Sequence, residues 1–201
     1  MSEPPFDPLG ALRTLSAHGV RFVLIGGYAA ALRGSPMITG DLDLCYARDA
    51  ENLGALAAAL AELGARLRGA PADVPFQLDA ATLKAGDHFT FSTEAGPLDC
   101  LGTPSGTDGF ADLDASATDE DLDGLVVRVA SLEDLIRMKR AAGRPQDLIA
   151  VEWLSAVRDE LDNGSSSRGL PGELHQVCPD GQRSRQVGLD GASARAAARN
   201  R

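Results

Sequence analysis

An α/β fold is what this 201-residue sequence predicts, on three observations. Short apolar runs rich in β-branched and aromatic residues recur between glycines and read as strands. Leucine and alanine at helical spacing fill the stretches between them, and from Ser131 onward the texture turns helical. A hydrophobic content of 44% supports one core, or one core with a small helical appendage.

The elements follow in order. Asp7-Pro8 sets a capping residue before a proline at the first helical position; Leu9, Leu12 and Leu15 continue that helix to Gly19. "RFVLIG" (21–26) is a buried strand, and the alanine-rich "GYAAALRG" is a short helix closing at Gly34. "DLDLCY" (41–46) is a second strand. Asp49 then caps a helix with Leu53, Leu56, Leu60 and Leu63 on one face, ending at Gly64. "HFTFSTEAGPLDCLG" (88–102) reads as a hairpin turning near Glu94-Ala95-Gly96, and "GLVVRVA" (124–130) as a further strand. "SLEDLIRMKRAAG" opens on a capping-box-like Ser131…Asp134 and stops at Gly143. Pro145 starts another helix, with Leu148, Val151, Leu154, Val157 and Leu161 expected on its buried side and Trp153 expected in the core between the helices. The expected organisation is a core over 1–130, a helical segment packed on it over 131–161, and a disordered tail over 162–201, where glycine, serine and arginine show little periodicity.

Composition excludes several roles. No run of about 18 apolar residues is present, so no membrane span is expected. The opening "MSEPPFDPLG" lacks the basic and apolar segments of a secretory signal. Cys45, Cys100 and Cys178 are too scattered for a disulfide scaffold or a zinc site, which suits a reduced, cytoplasmic protein. A formal charge of -10 argues against nonspecific coating of nucleic acid or anionic membrane. It leaves room for a nucleotide, because a metal-binding carboxylate cluster is itself acidic.

Two such carboxylates stand inside the second strand. Residues i and i+2 share a face, so Asp41 and Asp43 project together, about 7 Å apart along the backbone. Leu42 and Leu44 face the other way. Paired carboxylates beside a core repel each other and resist desolvation, and a divalent cation removes both costs. An aspartate face that simply meets water is the bland alternative. Gly26-Gly27, closing the first strand 13 residues earlier, would let backbone approach a phosphate. Asp99, in "PLDCLG", would complete a trio if its strand lay beside 41–46. Cys45 shares the aspartate face and reads as packing.

With Ile25-Gly26-Gly27, 13 residues, then Asp41-Leu42-Asp43-Leu44, the chain resembles the DNA polymerase beta-type nucleotidyltransferase superfamily. The subgroup it most resembles is the small prokaryotic set of minimal nucleotidyltransferases and abortive-infection type IV toxins, through "SLEDLIRMKRAAGRPQDLIAVEWL". The resemblance implies a small mixed sheet with helices packed on it and a short C-terminal helical segment. It implies two magnesium ions on Asp41, Asp43 and Asp99, the catalytic trio, with Asp99 helping to deprotonate the acceptor. Gly26 and Gly27 would hold the triphosphate, and Thr39 joins this nucleotide-binding set, with a plain turn hydroxyl as its alternative. Lys139 follows Leu132, Leu135 and Ile136 on an apolar stripe. Composition leaves it snorkelling or entering a site, and the resemblance sends it to the phosphates. Arg144 and Asp147 could be a helix-start ion pair; the resemblance places them in the nucleotide site. Many relatives carry a basic residue where this chain has Met37-Ile38, a gap that Arg33 is expected to fill in part. The implied reaction moves a nucleoside monophosphate from a nucleoside triphosphate to a hydroxyl on tRNA or another RNA, a protein or a small molecule. The subgroup adds a toxin role with a cognate antitoxin. The rival reading is a silent binding or antitoxin-like protein that keeps the fold.

Overall fold

The computed structural model describes residues 5–70 and 76–166. In chain order it runs α1 (Pro8–Ala17), β1 (Phe22–Ile25), α2 (Gly26–Leu32), β2 (Leu42–Tyr46), α3 (Ala50–Glu62), β3 (Arg66–Leu67) and α4 (Ala80–Ala85). It continues with β4 (His88–Thr93), β5 (Gly96–Leu101), α5 (Phe110–Ser116), β6 (Thr118–Leu122), β7 (Leu125–Val129), α6 (Leu132–Ala142) and α7 (Pro145–Ser166). The strands form one mixed sheet in the order β3-β4-β5-β2-β1-β7-β6. β1 runs antiparallel to β2 and parallel to β7, and β2 runs parallel to β5. The other neighbours are antiparallel. No helix among the described residues is long and apolar enough to cross a membrane.

Local chemistry starts and stops the helices where the residues dictate. The Asp7 carboxylate accepts from the Gly10 N–H at 2.9 Å, Asp49 from Asn52 at 3.1 Å, and the Ser131 hydroxyl from Asp134 at 3.1 Å. Each such cap contributes about 1 kcal/mol. Gly143 closes α6 in the left-handed region, φ 65°. Leu12 and Leu15 of α1 and Leu53, Leu56 and Leu60 of α3 join Leu24, Leu44, Phe91 and Leu98 of the sheet in one core. Each fully buried leucine contributes about 2 kcal/mol.

Alternation within the strands decides where a site can form. β1 is buried at every residue. β2 buries Leu42, Leu44 and Tyr46 and leaves Asp43 only partly covered. β5 repeats this, burying Leu98 and Cys100 and leaving Asp99 half-buried. The sheet face opposite the main core is therefore open where these two strands meet.

Three expectations need correction. Leu148 is 56% exposed, Leu161 is also exposed, and Trp153, expected in the core, is 49% exposed. The buried face of α7 is instead Asp147, Ala150 and Leu154. Steps of three residues precess by about 60° each, so Leu148 and Leu154 lie on different faces. Leu161 projects past α6, which has 11 residues against the 22 of α7. That helix also continues to Ser166, beyond the expected boundary at 161; the tail from 167 onward lies outside the described residues.

Candidate functional site

Strand register assembles the carboxylates. β2 and β5 run parallel with Asp43 directly opposite Asp99, and Asp41 stands one pleat before Asp43. One oxygen from each of Asp41, Asp43 and Asp99 lies within 4.8 Å of the others. All three side chains are partly exposed, and among the described residues no other cluster of this kind occurs.

The surroundings aim each carboxylate. The Thr39 hydroxyl donates to Asp41 Oδ1 at 2.5 Å. The Gly27 N–H favours the charged form of Asp43. Gly26 has φ 70°, and a Cβ there would lie 1.9 Å from Asp43 Oδ2, so only glycine lets Asp43 take this position. A Cβ on Gly27 would lie 2.7 Å from Thr39 Oγ1. The glycine pair thus makes room for Asp43 and Thr39.

Electrostatics here are unfavourable to charge. Burial, then the neighbouring Asp41 and Asp99, push Asp43 up from 3.8 to about 6; Lys139 and the Gly27 N–H oppose this. Burial also raises Asp99, against the pull of Arg68. Cys45, on the same face, is buried with Sγ 3.6 Å from the Gly102 carbonyl. Burial pushes its thiol up to about 12, which fits packing rather than ligation.

The helical segment contributes the opposite sign. Asp147, 0% exposed, accepts from Lys139 Nζ at 3.2 Å and from Arg144 Nε at 2.7 Å. Burial alone would raise Asp147, but the hydrogen bonds from Arg144 and Lys139 outweigh it, and its carboxyl is held below the ordinary value. Lys139 neither snorkels away nor stands alone: it is fixed between α6 and α7.

A cavity of about 610 Å³ joins these parts. Gly26, Gly27, Thr39, Asp41, Asp43, Asp99, Lys139, Arg144 and Asp147 all line it. Arg33 does not, which corrects its expected role. Its guanidinium donates to the Ala130 and Val129 carbonyls at 3.0 and 2.9 Å and pairs with Glu120. Two further side chains belong to the neighbourhood without having been anticipated. His88 lines the cavity, and Arg68 contacts Asp99 at 2.5 Å. A histidine opening a strand was the only local sign of the first; Arg68 had none.

No protein-family model matches the chain, and no curated protein matches it. Solved structures do. The crystal structure of the lincosamide antibiotic adenylyltransferase LnuA with lincomycin bound aligns with a TM-score of 0.51 at 13% identity, covering 74% of this chain and 94% of that one. ANT(2'')-Ia in complex with adenylyl-2''-tobramycin aligns with a TM-score of 0.47 at 16% identity, covering 77% and 94%. At these identities the likeness is one of architecture. The seven-stranded mixed sheet with its flanking helices is a nucleotidyltransferase fold.

Proposed function

We propose that the protein is a nucleotidyltransferase that moves a nucleoside monophosphate from a nucleoside triphosphate to a hydroxyl acceptor and releases pyrophosphate. The observation that carries this reading is the set of three aspartate oxygens within 4.8 Å, in a cavity whose far wall carries Lys139 and Arg144.

The aspartates fit a divalent cation. They form an all-oxygen donor set, the chemistry magnesium prefers, and their mutual repulsion and burial leave Asp43 with a raised proton affinity that a cation would relieve. Asp41, Asp43 and Asp99 would hold it, and two ions are within the capacity of the trio once phosphate oxygens join. A bound cation supplies charge neutralisation at the phosphates and lowers the proton affinity of an attached oxygen nucleophile.

The chain's own groups do the rest. Lys139 and Arg144, held by Asp147, present positive charge to a triphosphate. The Gly26-Gly27 backbone lines the same cavity, where the triphosphate would meet it. Asp99 accepts the proton of the acceptor hydroxyl. The acceptor oxygen then forms a bond to the α-phosphorus, the bond from that phosphorus to the oxygen bridging toward the β-phosphorus breaks, and pyrophosphate leaves with the electron pair. Thr39 keeps Asp41 aimed at the centre throughout.

For the acceptor, the resemblance to minimal nucleotidyltransferases and abortive-infection toxins supports an RNA end or a protein side chain, with a cognate antitoxin. The architecture shared with a lincosamide adenylyltransferase supports a small hydroxylated molecule. The test is to incubate the protein with magnesium and α-labelled nucleoside triphosphates, separately with total RNA, cell protein and a panel of hydroxylated antibiotics. Label should move to one of these pools with wild type and not with Asp43→Asn. Wild-type protein that binds no magnesium-nucleotide complex in calorimetry would overturn the enzyme reading and leave a silent fold.

A further inference from the structure

Arg68 stands just past β3, in the turn that leaves the sheet. Its N–H donates to the Thr90 carbonyl at 2.8 Å. Thr90 lies opposite Asp99, and Asp99 lies opposite Asp43. One row across the sheet therefore carries Asp43, Asp99, Thr90 and Arg68. The guanidinium reaches back along this row, with Nη2 2.5 Å from Asp99 Oδ1. Arg68 is 37% exposed and Asp99 18%, so the pair is partly shielded from water. Asp41 and Asp43 differ: among the described residues neither forms an ion pair with an arginine or lysine, and their near partners are the Thr39 hydroxyl and the Gly27 N–H. One of the three carboxylates thus arrives with a cation already on it.

We propose that Arg68 is a positioning residue of this site: it is the resident counter-ion of Asp99, which already stands beside Asp41 and Asp43, and it competes with a divalent cation for that carboxylate. The inference rests on the cation reading above. Its consequence is that a cation meets a competing charge at Asp99 and none at Asp41 or Asp43. Arg68 holds Asp99 aimed but neutralised until a cation, with the phosphates that accompany it, competes for the carboxylate. A charge-assisted hydrogen bond of this kind opposes metal binding by about tenfold in affinity.

Manganese binding, read from the loss of the free-ion paramagnetic resonance signal, tests this on the full chain without nucleotide and independently of activity. Arg68→Ala should bind manganese about tenfold more tightly than wild type, and Arg68→Lys, which keeps a cation beside Asp99, should stay near wild type. In the Asp99→Asn background, Arg68→Ala should give no further tightening, because the competition is gone. Equal or weaker binding by Arg68→Ala, with wild-type binding still abolished by Asp43→Asn, would overturn the counter-ion role and leave the metal site standing. No Asp43-dependent manganese binding in any variant would overturn the cation reading and this inference with it. Arg68→Gln, with thermal midpoints for every variant, guards against a folding defect in the alanine protein.

Discussion

Replacing Asp43 with asparagine removes one charge from the trio while keeping the side chain's shape. The folded chain holds the Asp43 proton more tightly than the unfolded chain does, because burial and the charges of Asp41 and Asp99 disfavour the carboxylate. A rise from 3.8 to about 6 means that stability falls as pH increases from about 4 through about 6, and is level above that. At full ionisation the penalty is about 3 kcal/mol. Partial exposure and the Gly27 N–H, which favours the charged form, reduce what asparagine can recover to about 1–2 kcal/mol. For a chain of this size that is about 3–6 °C in thermal midpoint. The assay is a set of melts in chelator at pH 4.5 to 8, on wild type and Asp43→Asn. The variant should melt closest to wild type at the acid end, with the gap widening to its full size above pH 6. Magnesium with a nucleoside triphosphate should then raise the wild-type midpoint and leave the variant unmoved. A variant that melts lower than wild type at pH 8, or a gap independent of pH, would refute the claim that Asp43 is held charged against its surroundings.

Three further outcomes follow from the same geometry. Gly26→Ala places a methyl 1.9 Å from Asp43 Oδ2 at φ 70°, so it should lose about 2 kcal/mol or more in denaturant melts, together with nucleotide binding in calorimetry. Asp147→Asn leaves Lys139 and Arg144 without their buried anion; about 3 kcal/mol of stability should be lost, seen as a shifted urea midpoint at unchanged slope. Lys139→Met keeps the apolar stem in the α6–α7 packing but takes one of two cations from buried Asp147. Its melt should fall, by less than that of Asp147→Asn, while its affinity for inorganic tripolyphosphate falls about tenfold.

How much of this could be read from residues alone depends on how local each cause is. The inner strands were legible because β1 and β2 are apolar runs bounded by glycine or caps. β6, "TDEDL", was not: it is an edge strand with partly exposed, acidic residues, and its pairing with β7 decides its conformation. That omission explains the error over Arg33, whose partners Thr118 and Glu120 sit on the unforeseen strand. Asp41 and Asp43 were legible as a pair because the strand period is two. Their meeting with Asp99 depends on the parallel pairing of β2 with β5, a long-range event that no local pattern encodes. Arg68 is further still from local reading, since its place follows from a two-residue strand paired with β4.

The two walls of the cavity differ in physical character, and the difference favours binding over mere packing. On the helical wall, Asp147 is fully buried yet paired with two cations, and its charge is stabilised. That side needs nothing from a ligand. On the sheet wall, Asp41, Asp43 and Asp99 crowd one another with a single arginine among them, and Asp43 is left with a raised proton affinity. A chain selected only for stability would relieve such a cluster with one neutral substitution, because each aspartate is partly exposed and none carries the core. Gly26 deepens the point: its positive φ and absent side chain serve to admit Asp43, the most disfavoured carboxylate of the three. An unrelieved anionic cluster, built around by special backbone and facing pre-paired cations across one cavity, is what a cation and a polyphosphate together would complete.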